Sequence, residues 1–344
     1  MDDWCLFDGD TLLPILPPIL LIEFVVGGLC NGIALWIFCF HIKTWNSSII
    51  LLFNLVLADF LLLLALPFRT KYYLQHKNWT LGDEFCRINL FMLAMNRTGS
   101  IFFLTAVALD RYFKVVHPYS RLSAPSVAKT ICTSCILWLI ATSMTAYILV
   151  KPKLKNDTGV NHCESFAISL SFDSHSLWHC SLFLLEIFLP LCIVLYCTCH
   201  FVRKLQKREL SKQGRIQKAI RLTIVVIIVF LLCFLPSSLT SIVIWIKRIS
   251  YHKECQSFKV WDDTFYITMS LTYMSCVMDP VIYCFSSTTF QELYFFKVWN
   301  AFKKKTVTGV TDIRPQQSED TTIASERPAN HLLVHQGTMD RLVL

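Results

Sequence analysis

Seven stretches of this chain, at about 12–40, 49–75, 84–113, 127–150, 178–202, 219–246 and 261–285, are apolar over close to or beyond the roughly 20 residues that cross a bilayer as a helix. That constrains the fold more than any other feature. Inside hydrocarbon every backbone N–H and C=O must be satisfied within the protein, which leaves helices or closed barrels. Stretches this long exclude barrel strands. The chain's 344 residues are 54% hydrophobic and 16% charged, a balance foreign to one or two water-soluble domains. The sequence therefore predicts an all-α, seven-transmembrane helix bundle over 12–286. A short extracellular segment, 1–11, precedes it. An amphipathic eighth helix over 287–305 and a disordered cytoplasmic tail over 306–344 follow.

The first stretch is too long for a cleaved leader and follows acids, Asp2, Asp3, Asp8 and Asp10, instead of a basic region. Orientation follows from the loop between the fifth and sixth spans. It carries Arg203, Lys204, Lys207, Arg208, Lys212, Arg215, Lys218 and Arg221 against one acid, Glu209. By the positive-inside rule that loop is cytoplasmic, the amino terminus outside and the carboxyl terminus inside. Lys303, Lys304 and Lys305 agree, whereas Lys151, Lys153 and Lys155 in an outer loop run against the rule. The net charge of +8 sits at membrane-flanking positions and not on a soluble module, which excludes nucleic acid as a partner. Most of the fifteen cysteines fall within spans, as packing residues do. Cys5, Cys86, Cys163 and Cys255 fall on the oxidising side, and four cysteines allow three pairings. Asn78-Trp79-Thr80 and Asn156-Asp157-Thr158 are candidate glycosylation sites in outer loops.

Charges inside the apolar runs are expensive and point to function. Arg97 lies within Leu90 to Ala108, fourteen residues before Arg111, roughly 21 Å along a helix and about 40° apart around it. Both arginines thus look into the bundle interior from opposite depths. Asn96 and Ser100 share a neighbouring face. With Asp59, Asp279 and Asn31 they form a candidate hard-cation site for sodium, centred on Asp59, the alternative being a hydrated hydrogen-bond network without an ion. Pro190, Pro236 and Pro280 interrupt their helices and permit kinks.

Asn31 in GLCNGIAL, LVLAD ending at Asp59, Cys86, Asp110-Arg111-Tyr112, Trp138, Pro190, CFLP ending at Pro236 and DPVIY over 279–283 occur in the order and spacing of the rhodopsin-like G protein-coupled receptors, which the chain resembles over about 12–300. The resemblance implies a Cys86–Cys163 disulfide and a sodium pocket at Asn31, Asp59, Asn96, Ser100 and Asp279. It also implies an activation switch involving Asp110, Arg111, Tyr112, Phe234, Pro236, Asp279, Pro280 and Tyr283, coupled to a heterotrimeric G protein. Phe234 stands where many members have Trp. The basic start of the sixth span supplies no acid to clamp Arg111, and no cysteine follows Cys284 to carry a lipid anchor.

Leu93 replaces the acid of amine receptors, and Tyr273 the retinal lysine of opsins. The planar fork of Arg97 suits a carboxylate, and Arg69 adds a second cation at the outer end of the second span. The strings LPFRTKYYL, NLFMLAMNRTGSIFFLTAVALDRYFKVVHP and HCESF resemble the hydroxycarboxylic acid receptors, most of all their lactate-responsive branch. In that family the matching residues imply that Arg97 holds the ligand carboxylate, that Ser165 and Tyr273 add hydrogen bonds, and that Arg69 lends charge. Glu164, Leu93, Tyr266 and His179 complete the candidate ligand site. A second bridge, Cys5–Cys255, is implied too. Ser241 stands where the lactate branch has an arginine, with only Lys247 and Arg248 above it. Receptors for oxo- and hydroxy-fatty acids share the same spacing and give the alternative reading.

The expectation is a plasma-membrane receptor for a small hydroxycarboxylic acid, acting through an inhibitory-class G protein to lower cyclic AMP. Its further partners would be membrane lipid and, through Ser318, Thr321, Thr322 and Ser325 in the tail, receptor kinase and arrestin. No resident cofactor beyond that sodium ion is expected. An enzyme is not indicated, since facing spans carry no paired nucleophile and base and no His-rich metal motif. An organic-anion transporter is the remote alternative, and no two halves with matching interruptions support it.

Overall fold

A computed structural model of the chain describes residues 4, 5, 7 and 9–290, apart from 121, 158, 165–167, 170–173, 208–213, 251–254 and 287–289. At 4, 157, 168–169, 174–180, 204–207, 214–218, 249–250 and 286 it describes the backbone alone. The helices are α1 (Leu16–Phe40), α2 (Ser47–Leu74), α3 (Gly82–Val116), α4 (Val127–Thr145), the one-turn α5 (Tyr147–Val150), α6 (Ser174–Lys207), α7 (Gly214–Val229), α8 (Leu235–Ser250), α9 (Lys259–Tyr273) and α10 (Ser275–Ser286). A single π-turn, Phe230–Phe234, joins α7 to α8. Among the described residues six of the resulting spans are long and apolar enough to cross a membrane unbroken. The seventh is α9 followed by α10, broken at Met274, so neither half reaches the length on its own.

Burial sorts the helices into layers. Within its most apolar window α3 is 72% buried, whereas the corresponding share for the span Val127–Val150, α4 with α5, is 22%. Alpha-helix α3 is therefore the central post, and a polar residue almost anywhere on it meets protein. The outer helices turn apolar side chains such as Leu21, Ile22, Leu29 and Leu139 outward, as a lipid-facing surface requires. Small residues let the helices close up. A Cβ on Gly27 of α1 would lie 2.7 Å from the Cys276 sulfur of α10, and one on Gly99 of α3 would lie 3.3 Å from Ala58 of α2.

Pro280 acts through the carbonyl it releases. Pro280 has no N–H for the carbonyl of Cys276, four residues earlier. Asn31 Nδ2 donates to that oxygen at 2.8 Å and so ties α1 to α10. In the sixth span the π-turn immediately before Pro236 opens the backbone, and Thr272 Oγ1 of α9 donates to the Cys233 carbonyl at 2.8 Å. Trp138 Nε1 of α4 donates to Asn54 Oδ1 of α2 at 2.8 Å.

Two small antiparallel ribbons, which the apolar pattern did not disclose, cover the end of the bundle read as extracellular. One pairs Leu154–Asp157 with Val160–Cys163, and the other pairs Trp4–Cys5 with Ile168–Ser169. Both bridges implied by the family resemblance are formed, Cys86–Cys163 and Cys5–Cys255. The amino-terminal segment is thereby held over the bundle by a ribbon and a covalent bond. Of the amphipathic segment expected over 287–305, Phe290 is described; it is buried against Phe38 and Tyr283, with ring centroids 5.2 and 5.7 Å away. The rest of it, the basic loop at 208–213 and the tail serines and threonines lie outside the described residues.

Candidate functional site

Helix α3 positions two sets of polar side chains on adjacent faces. On one, Asn96 Nδ2 donates to the Ala58 carbonyl at 3.1 Å, to Asp59 Oδ1 at 3.3 Å and weakly to Ser100 Oγ at 3.5 Å. Tyr283 OH lies 3.3 Å from both Asn31 Oδ1 and Asp59 Oδ2. Asp279 faces Asp59, fully buried, and neither of its carboxylate oxygens is hydrogen-bonded among the described residues. The five residues expected around a cation thus converge, and of their two acids Asp279 lacks a donor among the described residues. Among the described residues no three His, Cys, Asp or Glu side chains cluster as a metal site would require.

Rotated by one residue, about 100°, Arg97 faces α6 and α8 and is 3% exposed. Its Nη2 donates to Ser238 Oγ at 3.0 Å, and its Nη1 lies 3.5 Å from Ser237 Oγ. Its guanidinium lies over the Phe183 ring, 4.1 Å from the centroid. The Arg97 Nε is 3.7 Å from Glu186 Oε1, the same oxygen that accepts the Thr98 hydroxyl at 3.0 Å. The acid paired with Arg97 is therefore Glu186 of the fifth span, and not Asp59 or Asp279.

These residues border a cavity of about 140 Å³. Arg97, Leu93 and Tyr273, three of the residues expected at a ligand site, share its wall with Lys153, Glu186, Thr98 and Tyr147. Leu90, Met144, Leu182, Phe183, Phe265 and Met269 supply an apolar lining. Lys153 comes from the outer loop and its Nζ lies over the Tyr147 ring at 5.4 Å from the centroid. Burial pushes its ammonium below the usual lysine range, and Lys151 pushes the same way. Lys153 and Glu186 were missed as site residues by sequence reading. Both left a signal: an acid in the apolar run of the fifth span, and an outer-loop lysine cluster that opposes the orientation rule.

Arg69, Glu164 and Tyr266 belong to a second cluster, separate from the cavity wall. Arg69 is 2% exposed, donates to the Cys163 carbonyl at 2.6 Å and to Tyr73 OH at 3.3 Å, and lies over the rings of Tyr72 and Tyr73. Glu164 receives the hydroxyls of Tyr72, at 2.9 Å, and Tyr266. Lys77 Nζ sits 2.9 Å from Glu164 Oε1, 3.9 Å from Asp262 Oδ2 and 3.1 Å from the Phe7 carbonyl to which it donates. Burial would raise the Glu164 carboxyl, but Lys77 and Arg69 overcome it and hold it down at about 2. Lys77 has a left-handed backbone, φ 57°, a conformation that costs a residue other than glycine roughly 1–2 kcal/mol. Gly9, with φ 69°, lets the amino-terminal segment approach, because a Cβ there would lie 2.6 Å from Lys77 Cδ. Tyr273 is within electrostatic reach of both Arg69 and Arg97, so the two clusters adjoin.

At the opposite end of α3, Asp110 accepts the hydroxyls of Ser47 and Ser48 at 2.7 and 2.6 Å and pairs with Lys114 at 2.8 Å. Tyr112 OH lies 3.3 Å from His117 Nε2. Arg111 is half-buried on the same turn, while Phe234 and Pro236 sit at the π-turn in the sixth span. Ser241 is buried and donates to the Ser237 carbonyl, and Lys247 lies over the Trp261 ring, away from the cavity. Asn78 is half-buried and its Oδ1 accepts from the Asn161 backbone N–H, while Asn156 is exposed. Ser165 and the side chain of His179 lie outside the described residues.

The family pattern described as 7 transmembrane receptor (rhodopsin family) matches residues 30–283. Human hydroxycarboxylic acid receptor 2 is 44% identical over 319 residues, 92% of this chain and 86% of the relative. Human hydroxycarboxylic acid receptor 1 is 44% identical over 292 residues, 84% of this chain and 82% of the relative. Human oxoeicosanoid receptor 1 is 38% identical over 279 residues, 80% of this chain and 70% of the relative.

Proposed function

Because the chain belongs to the rhodopsin family of seven-transmembrane receptors, and within it to the hydroxycarboxylic acid receptors, we propose that it is the plasma-membrane receptor of a small hydroxycarboxylic acid such as lactate. It is a receptor and not an enzyme. The observation that carries the ligand reading is the charge balance of the cavity. Two cations, Arg97 and Lys153, face one anion, Glu186, which leaves a single positive charge for a monoanion. Size supports it too: a cavity of about 150 Å³ accommodates a molecule as small as benzene. That scale fits a short acid and not the long chain of an eicosanoid. In this reading the carboxylate enters from outside, takes the Nη atoms of Arg97, and Tyr273 adds a hydrogen bond. Ser165 and His179 act at the mouth, which the cluster of Arg69, Glu164 and Tyr266 holds in shape.

Binding shifts the receptor only through unequal affinity for its two states. Arg97 reaches the kinked sixth span through Ser237 and Ser238, and both serines donate to the Phe234 carbonyl beside the π-turn. Exchange of those serines for a carboxylate therefore acts directly on the kink. The cytoplasmic ends then open around Asp110, Arg111 and Tyr112 to engage an inhibitory-class G protein, with the amino terminus outside and the carboxyl terminus inside. Asp59 and Asp279, with Asn31, Asn96, Ser100 and Tyr283, fit a sodium ion; sodium should weaken agonist potency, and Asp59→Asn should remove that dependence. Asn78 and Asn156 carry glycans, and the tail recruits receptor kinase and arrestin beside membrane lipid.

The test is a series of acids from lactate to hydroxylated eicosanoids, read through G protein activation and cyclic AMP in cells expressing the full chain. Activation confined to short acids is the expected result. Activation by the long acids alone would replace the reading with the eicosanoid one.

A further inference from the structure

Within the cavity, Glu186 is out of place for a site that only collects carboxylates. It is an acid beside the arginine that would hold one, and a like charge brought against it is repelled. Its Oε1 is occupied by the Thr98 hydroxyl and the nearby Arg97 Nε, whereas no hydrogen bond to Oε2 is formed among the described residues. A carboxylate with accepting capacity to spare, on the wall of a cavity, calls for a donor from the occupant. The cation and the anion stand side by side, 3.7 Å apart at Arg97 Nε and Glu186 Oε1. An occupant that satisfies both must carry its donor one or two carbons from its own carboxylate. Lys153 on the same wall disfavours an ammonium as that donor, which leaves a hydroxyl.

We infer that Glu186, backed by Thr98, is a hydroxyl-reading subsite, selecting acids with a hydroxyl next to the carboxylate and rejecting equally small acids that lack one. This rests on the carboxylate reading of Arg97 and adds the residue that sets specificity. The subsite works in both directions: the hydroxyl of a matched ligand donates to Glu186, while an unsubstituted acid leaves that charge unsatisfied beside its own. Sites built around a buried polar group reject a ligand missing the matching group more strongly than apolar pockets reject a missing methylene.

Three probes of similar size separate the possibilities: lactate, 2-methoxypropionate, whose ether oxygen accepts but cannot donate, and propionate. Potency is read through G protein activation in cells, with surface expression measured for every variant. On the unaltered chain lactate should exceed 2-methoxypropionate and propionate by about tenfold or more. In Glu186→Ala the gap should close to within about threefold, with propionate gaining potency as Arg97 loses its internal partner. A folding defect would weaken all three acids together and leave their ratios unchanged; unchanged ratios in Glu186→Ala overturn the subsite. The probe series on the unaltered chain decides even where the variant fails to reach the surface: equal potencies there overturn the subsite alone. Failure of every acid, short or long, to activate the unaltered chain overturns the carboxylate reading as well.

Discussion

Two buried arginines, Arg69 and Arg97, differ in how closely the protein holds them. Arg69 is held at 2.6 Å by the Cys163 carbonyl and is enclosed by tyrosine rings, in a cluster where Glu164, Lys77 and two tyrosine hydroxyls close on one another. Arg97 has one good hydrogen bond, at 3.0 Å, with further partners at 3.5 and 3.7 Å. A buried charge held closely by its own protein leaves little for a ligand to supply. A buried charge with loose partners and a cavity beside it is poised for exchange. The difference separates the outer cluster, which fastens the amino-terminal segment and the second outer loop onto the bundle, from the cavity, which takes the ligand.

The largest effect that would sharpen this contrast lies in the outer cluster. Glu164→Ala leaves Lys77 buried without its close partner and should cost about 3–5 kcal/mol, read as a fall in the melting temperature of the purified receptor. The double change Lys77→Met with Glu164→Leu should recover most of it, since apolar replacements of an ion pair are tolerated. A Glu164→Ala receptor as stable as the unaltered one would break the structural reading of this cluster.

Acid should act on the same carboxylate in a defined window. The folded value of about 2 lies below the ordinary 4.5, so Glu164 contributes its stability above about pH 4.5 and loses it as pH falls toward 2. The difference in melting temperature between the unaltered chain and Glu164→Gln should stay level from about pH 7 to about pH 5 and shrink below that. A difference that vanished by about pH 6 would contradict the assignment. The smallest effect belongs to the cavity side. Ser238→Ala removes a hydrogen bond that Arg97 gives up on binding, and should change potency by about threefold to tenfold while stability barely moves.

The bundle was legible because hydrocarbon leaves so few solutions: run lengths and loop charge were enough for seven spans. Asn31, Asp59, Asn96, Ser100 and Asp279 were legible for a related reason, each being a polar residue that lipid would reject. The same logic applies to Glu186, a lone acid in the apolar run of the fifth span, which lies outside the matching motif positions. The outer cluster was not legible in its details. Its partners Phe7, Lys77, Glu164 and Asp262 come from four separate segments, and only tertiary structure brings them together. That is why Arg69 and Arg97 looked alike in the sequence, as two cations for one anion.

Measuring dose–response curves for lactate on Arg97→Ala and Arg97→Lys, at matched surface expression, tests the anchor role most directly. Truncating one member of a buried charge pair costs roughly 2–5 kcal/mol, so Arg97→Ala should lose at least about 30-fold in potency. Arg97→Lys should remain poor, because a point charge cannot replace the planar fork. A curve for Arg97→Ala that overlays the unaltered receptor's would contradict the account.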